Sequence, residues 1–145
     1  LARLGLLLGR TDLIDGAHRA LSALSGILGR SPVGHTMSLA AMETLLFPSF
    51  QAVVAGCRRN DREVEAFLRP LRSRFLPHGA VLFLSPEKPF RDVSAVAPWL
   101  SQMALPGEGA VLYPCSGGAC RPPIRSIPEL EAFLEADGRP GGTSL

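Results

Sequence analysis

Residues 110–124, AVLYPCSGGACRPPI, decide the fold that is predicted for this chain. The segment begins with a short apolar run, continues through two cysteines separated by four residues, and ends at Pro122, Pro123 and one further apolar residue. An apolar run bounded by Gly and Pro is typical of a buried β-strand. We therefore expect Cys115 and Cys120 in the loop at the carboxyl end of this strand, where open α/β sheets place their functional sites.

Two more apolar runs, 51–55 and 80–84, predict strands of the same kind. Helical patterns separate the three strands: one begins at Asp61, and a weaker one begins at Val93 and is kept short by Pro98. Strands that alternate with helices in this way predict a parallel sheet with right-handed connections. We expect a three-stranded parallel sheet with flanking helices and the strand order 2-1-3.

The first part of the chain has a different pattern, because its apolar residues recur at three- and four-residue spacing in two consecutive segments. Gly29 marks the end of the first helix, and Pro48 stops the second one. The predicted fold class is therefore α/β, with an amino-terminal helical hairpin in residues 1–48 and a small α/β module in residues 49–137. The sequence after that, 138–145, predicts a disordered tail.

The composition restricts the classes of function. At 145 residues, 46% of them hydrophobic, the chain has the size of one domain and can bury a core. A net charge of +2 is too small for the electrostatic footprint of a nucleic-acid-binding protein. Each apolar run is shorter than the about 20 residues that cross a bilayer, so we expect no membrane partner. Three cysteines, an odd number, favour a reducing cytoplasmic location over a secreted disulfide scaffold.

Four segments of the chain together carry a resemblance to a known family: LARLGLLLGRTDLIDGAHRAL, MSLAAMETLLFPSFQAVVAG, FLPHGAVLFL and AVLYPCSGGACRPPIRSIPELEAFL. Over essentially its whole length the chain resembles the carboxyl-terminal end of the spermatogenesis-associated, thioredoxin-domain-containing protein family. Such a protein has an amino-terminal thioredoxin-like domain, a toroid of helical hairpins similar to sugar epimerases and six-hairpin glycosidases, and a small α/β tail. The resemblance implies that residues 1–48 are the end of this α/α toroid, and that the partner of the chain is the rest of its own parent protein.

The cysteines are the candidate site residues, and three interpretations of Cys115 and Cys120 stay open. The pair serves the structure alone, carries out thiol redox chemistry, or binds a metal ion. In a parallel sheet Cys57, which follows the first strand, would lie at the same edge as Cys115, so a cluster of three thiols is geometrically feasible. We nevertheless expect no metal, because a zinc site needs four ligands. The family's terminal motif matches Cys115, Cys120 and Pro123, but not Cys57.

Other polar residues give weaker signals. Gly56 follows the first strand without the three glycines of a dinucleotide-binding fingerprint. His35 and His78 have no nucleophile or acid partner marked by spacing. Glu43 and Asp15 belong to separate predicted helices, so they do not predict the facing acids of a glycosidase. We therefore assign no catalytic residue and expect no cofactor.

The leading functional hypothesis is a noncatalytic carboxyl-terminal structural module of a thioredoxin-domain-containing protein. One alternative is a thiol redox or metal-binding domain that uses Cys115 and Cys120. A second alternative is a contributor to a sugar-processing toroid of the epimerase or glycosidase kind. The resemblance does not decide whether the parent protein is an enzyme.

Overall fold

The computed structural model describes residues 1–47, 50–58, 61–76, 79–87, 92–116 and 119–137. The predicted tail, 138–145, and the predicted turn residue His78 lie outside these ranges. The chain begins with three α-helices, α1 (Ala2–Leu8), α2 (Thr11–Arg30) and α3 (Thr36–Leu46), with a 3-10 helix (Pro32–His35) before the third.

Strands and helices alternate after this helical segment, as the change of apolar pattern predicts. The elements are β1 (Phe50–Gly56), α4 (Arg62–Ser73), β2 (Gly79–Leu84), α5 (Val93–Val96), a 3-10 helix (Pro98–Gln102), β3 (Ala110–Ser116), β4 (Ala119–Cys120) and α6 (Ile127–Asp137). The protein is thus a mixed α/β structure. Asp61 caps α4 by accepting a hydrogen bond from the N–H of Glu63 at 3.0 Å.

The described strands form one sheet in the order β2-β1-β3-β4. The predicted order of the first three strands is confirmed. The prediction that all of them are parallel is wrong: β1 pairs with β2 in parallel but with β3 antiparallel, and β4 adds a fourth, antiparallel strand. The prediction of three strands, with both cysteines in a loop, is also wrong, because Cys115 belongs to β3 and Cys120 to β4.

The lengths of the connecting helices explain the direction of β3. The 12 residues of α4 extend about 18 Å, which is close to the length of a strand. The helix therefore returns the chain to the edge of the sheet where β1 began. The 4 residues of α5 extend about 6 Å, because Pro98 interrupts the helix. The chain therefore enters β3 from the edge where β1 ends, and Ala110 pairs with Gly56.

Helices cover both faces of the sheet, and alternate residues of β1 point to opposite faces. Ala52 and Val54 belong to a core built with α4 and α6, while Val53 and Ala55 face the segment that contains α5 and the second 3-10 helix. All four residues have no exposed surface. Leu8, at the end of α1, packs against the second core and joins the helical segment to the sheet.

The first two helices approach each other closely at Gly5. A Cβ at this position would lie 2.7 Å from the Cγ1 atom of Ile14 and 3.0 Å from the carbonyl oxygen of Arg10. Two of the neighbouring atoms belong to the backbone of the next helix and its start, so they cannot rotate away. The absence of a side chain at Gly5 therefore permits the tight turn from α1 into α2.

Candidate functional site

A disulfide bond joins Cys115 of β3 to Cys120 of β4. The two residues are direct cross-strand partners, and Ser116 pairs with Ala119 one step nearer the turn. The N–H of Arg121 donates to the carbonyl oxygen of Pro114 at 2.8 Å and continues the pairing beyond the cysteines. Because side chains of directly opposed residues lie on the same face of a sheet, the hairpin brings both sulfur atoms together.

The two cysteines differ in their access to solvent. Cys115 is 2% exposed, because β3 lies inside the sheet between β1 and β4. Its Sγ atom lies 3.7 Å from the carbonyl oxygen of Tyr113. Cys120 belongs to the short edge strand, of which both residues are exposed. The disulfide therefore presents one accessible residue and one buried residue.

A small hollow adjoins the buried half of the disulfide. It is lined by Phe50, Pro114, Cys115, Ser116, Arg121 and Phe133. The guanidinium carbon of Arg121 lies 5.6 Å from the centroid of the Phe133 ring, and that ring lies 5.7 Å from the Phe50 ring. The cavity volume of about 20 Å³ holds one water molecule and no organic substrate. Chemistry at this site is consequently limited to molecules that reach the disulfide from the surface.

The cluster of three thiols that a parallel sheet would have allowed does not form. In the antiparallel pair β1–β3, Cys115 lies opposite Gln51 near the start of β1, whereas Cys57 follows the end of that strand. The distance between the two positions along β1 is about 20 Å. Within the described ranges, no three His, Cys, Asp or Glu side chains come together in positions that could hold a metal ion.

The surroundings of Cys57 are those of a structural turn. Its Sγ atom lies 3.5 Å from the carbonyl oxygen of Gly107 and 3.7 Å from that of Pro106. The buried hydroxyl of Ser85 donates to the carbonyl oxygen of Cys57 at 2.8 Å, which ties the end of β1 to the end of β2. Next to it, Arg58 forms an exposed ion pair with Glu87 at 3.5 Å.

Sequence patterns did not reveal how α1 is attached to the sheet by hydrogen bonds from Gln51 and Trp99, an attachment that we call the joint. The N–H groups of Gly9 and Arg10 both bond to the carbonyl oxygen of Gly5, which leaves the next two carbonyls of the helix end for other donors. Gln51 Nε2 donates to the carbonyl oxygen of Leu6 at 2.9 Å, and Trp99 Nε1 donates to that of Leu7 at 3.0 Å. A Gln inside the otherwise apolar first strand was the signal that could have indicated such a partner.

The helical segment exposes eight large apolar side chains, which we together call the helical face. Its members are Leu1, Leu4, Ile27, Val33, Met37, Met42, Leu46 and Phe47. α3 contains no buried residue, although its sequence, TMSLAAMETLL, has apolar residues on all sides and one charge. His35, at the end of the first 3-10 helix, is half-buried beside this face.

Comparison with known proteins returned no matching family, no matching curated protein and no matching solved structure. Among the described residues, no helix has the length and apolar character required to cross a membrane.

Proposed function

We propose that the chain is a noncatalytic structural module at the carboxyl-terminal end of a thioredoxin-domain-containing protein, the family it resembles. In this proposal the helical face docks against preceding helical hairpins of the parent chain. The observation that carries the proposal is α3, which is apolar on all sides and yet has no buried residue. A helix that is hydrophobic all round is normally buried on all sides.

The charge distribution supports an apolar helical partner. Between residues 20 and 47, the chain carries two charged side chains, Arg30 and Glu43. A surface with so few charges does not suit nucleic acid or a charged protein, and large exposed apolar patches mark interaction surfaces. The hydrogen bonds from Gln51 and Trp99 to α1 then fix the helical segment relative to the α/β module.

Binding to the parent chain tests this proposal. The polypeptide encoded directly upstream of Leu1 is purified separately and titrated with this chain, with Met37→Glu, and with Phe75→Glu as the matched control. Phe75 is 90% exposed and follows α4, outside the helical segment. We expect Met37→Glu to weaken binding at least tenfold, and Phe75→Glu to bind like the unchanged chain. Equal binding of both variants, or an upstream sequence without helical hairpins, contradicts the proposal.

A second candidate function, thiol redox chemistry at Cys115 and Cys120, has the disulfide bond as its support. Counting free thiols in the unfolded, air-equilibrated protein tests it: one thiol per chain, from Cys57, is the expected result. Three free thiols would exclude this function. The hypothesis of a contribution to a sugar-processing toroid rests on the family resemblance alone.

A further inference from the structure

We propose that Cys120 is the site at which an external thiolate attacks the disulfide, and that Cys115 is the buried sulfur that leaves. The inference rests on the second function proposed above and specifies its chemistry. The substrate class is a thiol or dithiol of low molecular weight, or a dithiol on a protein surface, whose thiolate attacks at the exposed edge of the sheet.

The difference in solvent access between the two sulfur atoms decides which of them an external thiolate attacks. In thiol–disulfide exchange, the thiolate attacks one sulfur in line with the S–S bond, from the side opposite the leaving sulfur, and access contributes to the rate. Cys115 is 2% exposed, its strand lies between β1 and β4, and the hollow beside it holds no more than one water molecule, so a thiolate from solvent does not reach its sulfur. Cys120 is exposed on the edge strand, where a thiolate can approach.

The exchange balances in two steps. In the first step the thiolate forms a mixed disulfide with Cys120 Sγ, and Cys115 Sγ leaves with the electron pair of the broken S–S bond. The Cys115 thiolate takes a proton from water, because an unpaired buried charge is costly. The resulting S–H group can donate to the carbonyl oxygen of Tyr113, which lies 3.7 Å from the sulfur.

The second step depends on the reductant. The second thiolate of a dithiol attacks the reductant's own sulfur in the mixed disulfide, which releases the Cys120 thiolate and converts the dithiol to a disulfide. The protein then holds two thiols and has gained two electrons and two protons. A monothiol such as glutathione lacks the second sulfur, so the Cys120 adduct forms reversibly. The Cys115 thiolate can attack Cys120 Sγ again, which restores the disulfide and releases glutathione.

The local charge adds a preference among small thiols. Arg121 follows Cys120 directly, and its side chain lines the hollow beside the disulfide. An anionic thiol is therefore favoured over a cationic one. At an assumed separation of about 7 Å in water, one unit charge changes the rate about 2.7-fold, so an anionic and a cationic thiol should differ about sevenfold.

The test uses the full chain with Cys57→Ser, so that the disulfide pair provides all of the reactive sulfur. Glutathione is added for a short time, acid stops the exchange, and free thiols are then labelled with N-ethylmaleimide in concentrated urea, where both cysteines are accessible. Fragmentation of the peptide that spans both cysteines locates each modification. We expect glutathione on Cys120 and maleimide on Cys115. Glutathione on Cys115, or equally on both residues, overturns the inference while the redox function itself survives. A protein that contains no disulfide before treatment contradicts both the position of attack and the redox function.

Single-cysteine variants give an independent measurement in the same background. With Cys115→Ser the remaining Cys120 thiol should react with oxidised glutathione at the rate of a small model thiol. With Cys120→Ser the remaining Cys115 thiol should react at least tenfold more slowly while the protein is folded, and equally fast in concentrated urea. Circular dichroism confirms that each variant is folded. Equal rates in the folded variants overturn the assignment of Cys120.

A comparison of glutathione with the cationic thiol cysteamine tests the charge preference. At low salt we expect glutathione to react about sevenfold faster relative to cysteamine than it does with a neutral model disulfide, and we expect Arg121→Gln to remove this advantage. An unchanged ratio in Arg121→Gln refutes the role of the guanidinium but not the position of attack.

Discussion

Replacing Gln51 with Met tests the joint between α1 and the sheet. Met has nearly the same length and volume as Gln but cannot donate a hydrogen bond. Gln51 is a buried residue whose Nε2 atom donates to the carbonyl oxygen of Leu6 at 2.9 Å. The substitution keeps the packing of β1 and removes the donor from a carbonyl that has no partner within its own helix.

The expected loss of stability follows from the carbonyl that is left unpaired. An unsatisfied buried acceptor costs about 1–3 kcal/mol, and water that enters at the helix end reduces this cost. We therefore expect Gln51→Met to lower the free energy of unfolding by about 1–2 kcal/mol. Trp99→Phe removes the adjacent bond to Leu7, and the two effects should not be additive because both bonds hold the same turn of α1.

Urea unfolding followed by circular dichroism measures the global effect, and hydrogen exchange measures where it arises. Amides of α1 should lose protection about tenfold for each 1.4 kcal/mol by which the substitution destabilises that helix. Amides of β1 should lose protection only by the change in the free energy of global unfolding. Trp99 is the single tryptophan of the chain, so its fluorescence reports directly on the joint.

Gln102→Met serves as the matched control, since Gln102 is exposed in the second 3-10 helix. It should leave stability and exchange unchanged. If Gln51→Met is as stable as this control and α1 keeps its protection, the hydrogen bond from Gln51 does not hold α1 to the sheet.

Three further predictions concern the core, the disulfide and one exposed ion pair. Leu112→Ala removes a side chain with no exposed surface and should lower the free energy of unfolding in urea by about 2–5 kcal/mol. Leu105→Ala, at an exposed position, should lower it by less than about 1 kcal/mol. Equal losses would contradict the described core. Reduction of the disulfide between Cys115 and Cys120 should lower the stability by about 2 kcal/mol, because it opens a loop of six residues. A thermal melt measures this loss. An unchanged melting temperature after reduction would show that the bond does not constrain the unfolded chain. Hydrogen bonds from Arg10 hold the pKa of Asp12 below its ordinary value of 3.8, so the stabilisation from this pair is present above that pH and is lost as the pH falls through the lowered pKa. NMR titration should show the shift, and Arg10→Gln should reduce it, because the backbone N–H groups of Asp12 and Leu13 make only smaller contributions.

The amino-acid sequence by itself determined the helical segment and the three long strands. These features depend on local signals: apolar spacing in α2, continuous apolar runs in β1 and β3, and the cap at Asp61. Each signal reports how a short segment buries its own side chains, and that property changes little with the rest of the fold. The position of the two cysteines next to the third strand was likewise visible in the sequence.

The direction of β3 was decided by the tertiary structure. A strand that is buried on both faces has the same apolar pattern whether it runs parallel or antiparallel to its neighbour, so the pattern at 110–116 carries no information on direction. Direction depends on the edge to which the preceding connection delivers the chain, and the short α5 delivers it to the edge where β1 ends. That choice separates Cys57 from Cys115, which a parallel β3 would have placed at the same edge. The bond from Gln51 to Leu6 was likewise decided by the tertiary structure, because it joins residues that are distant in the sequence.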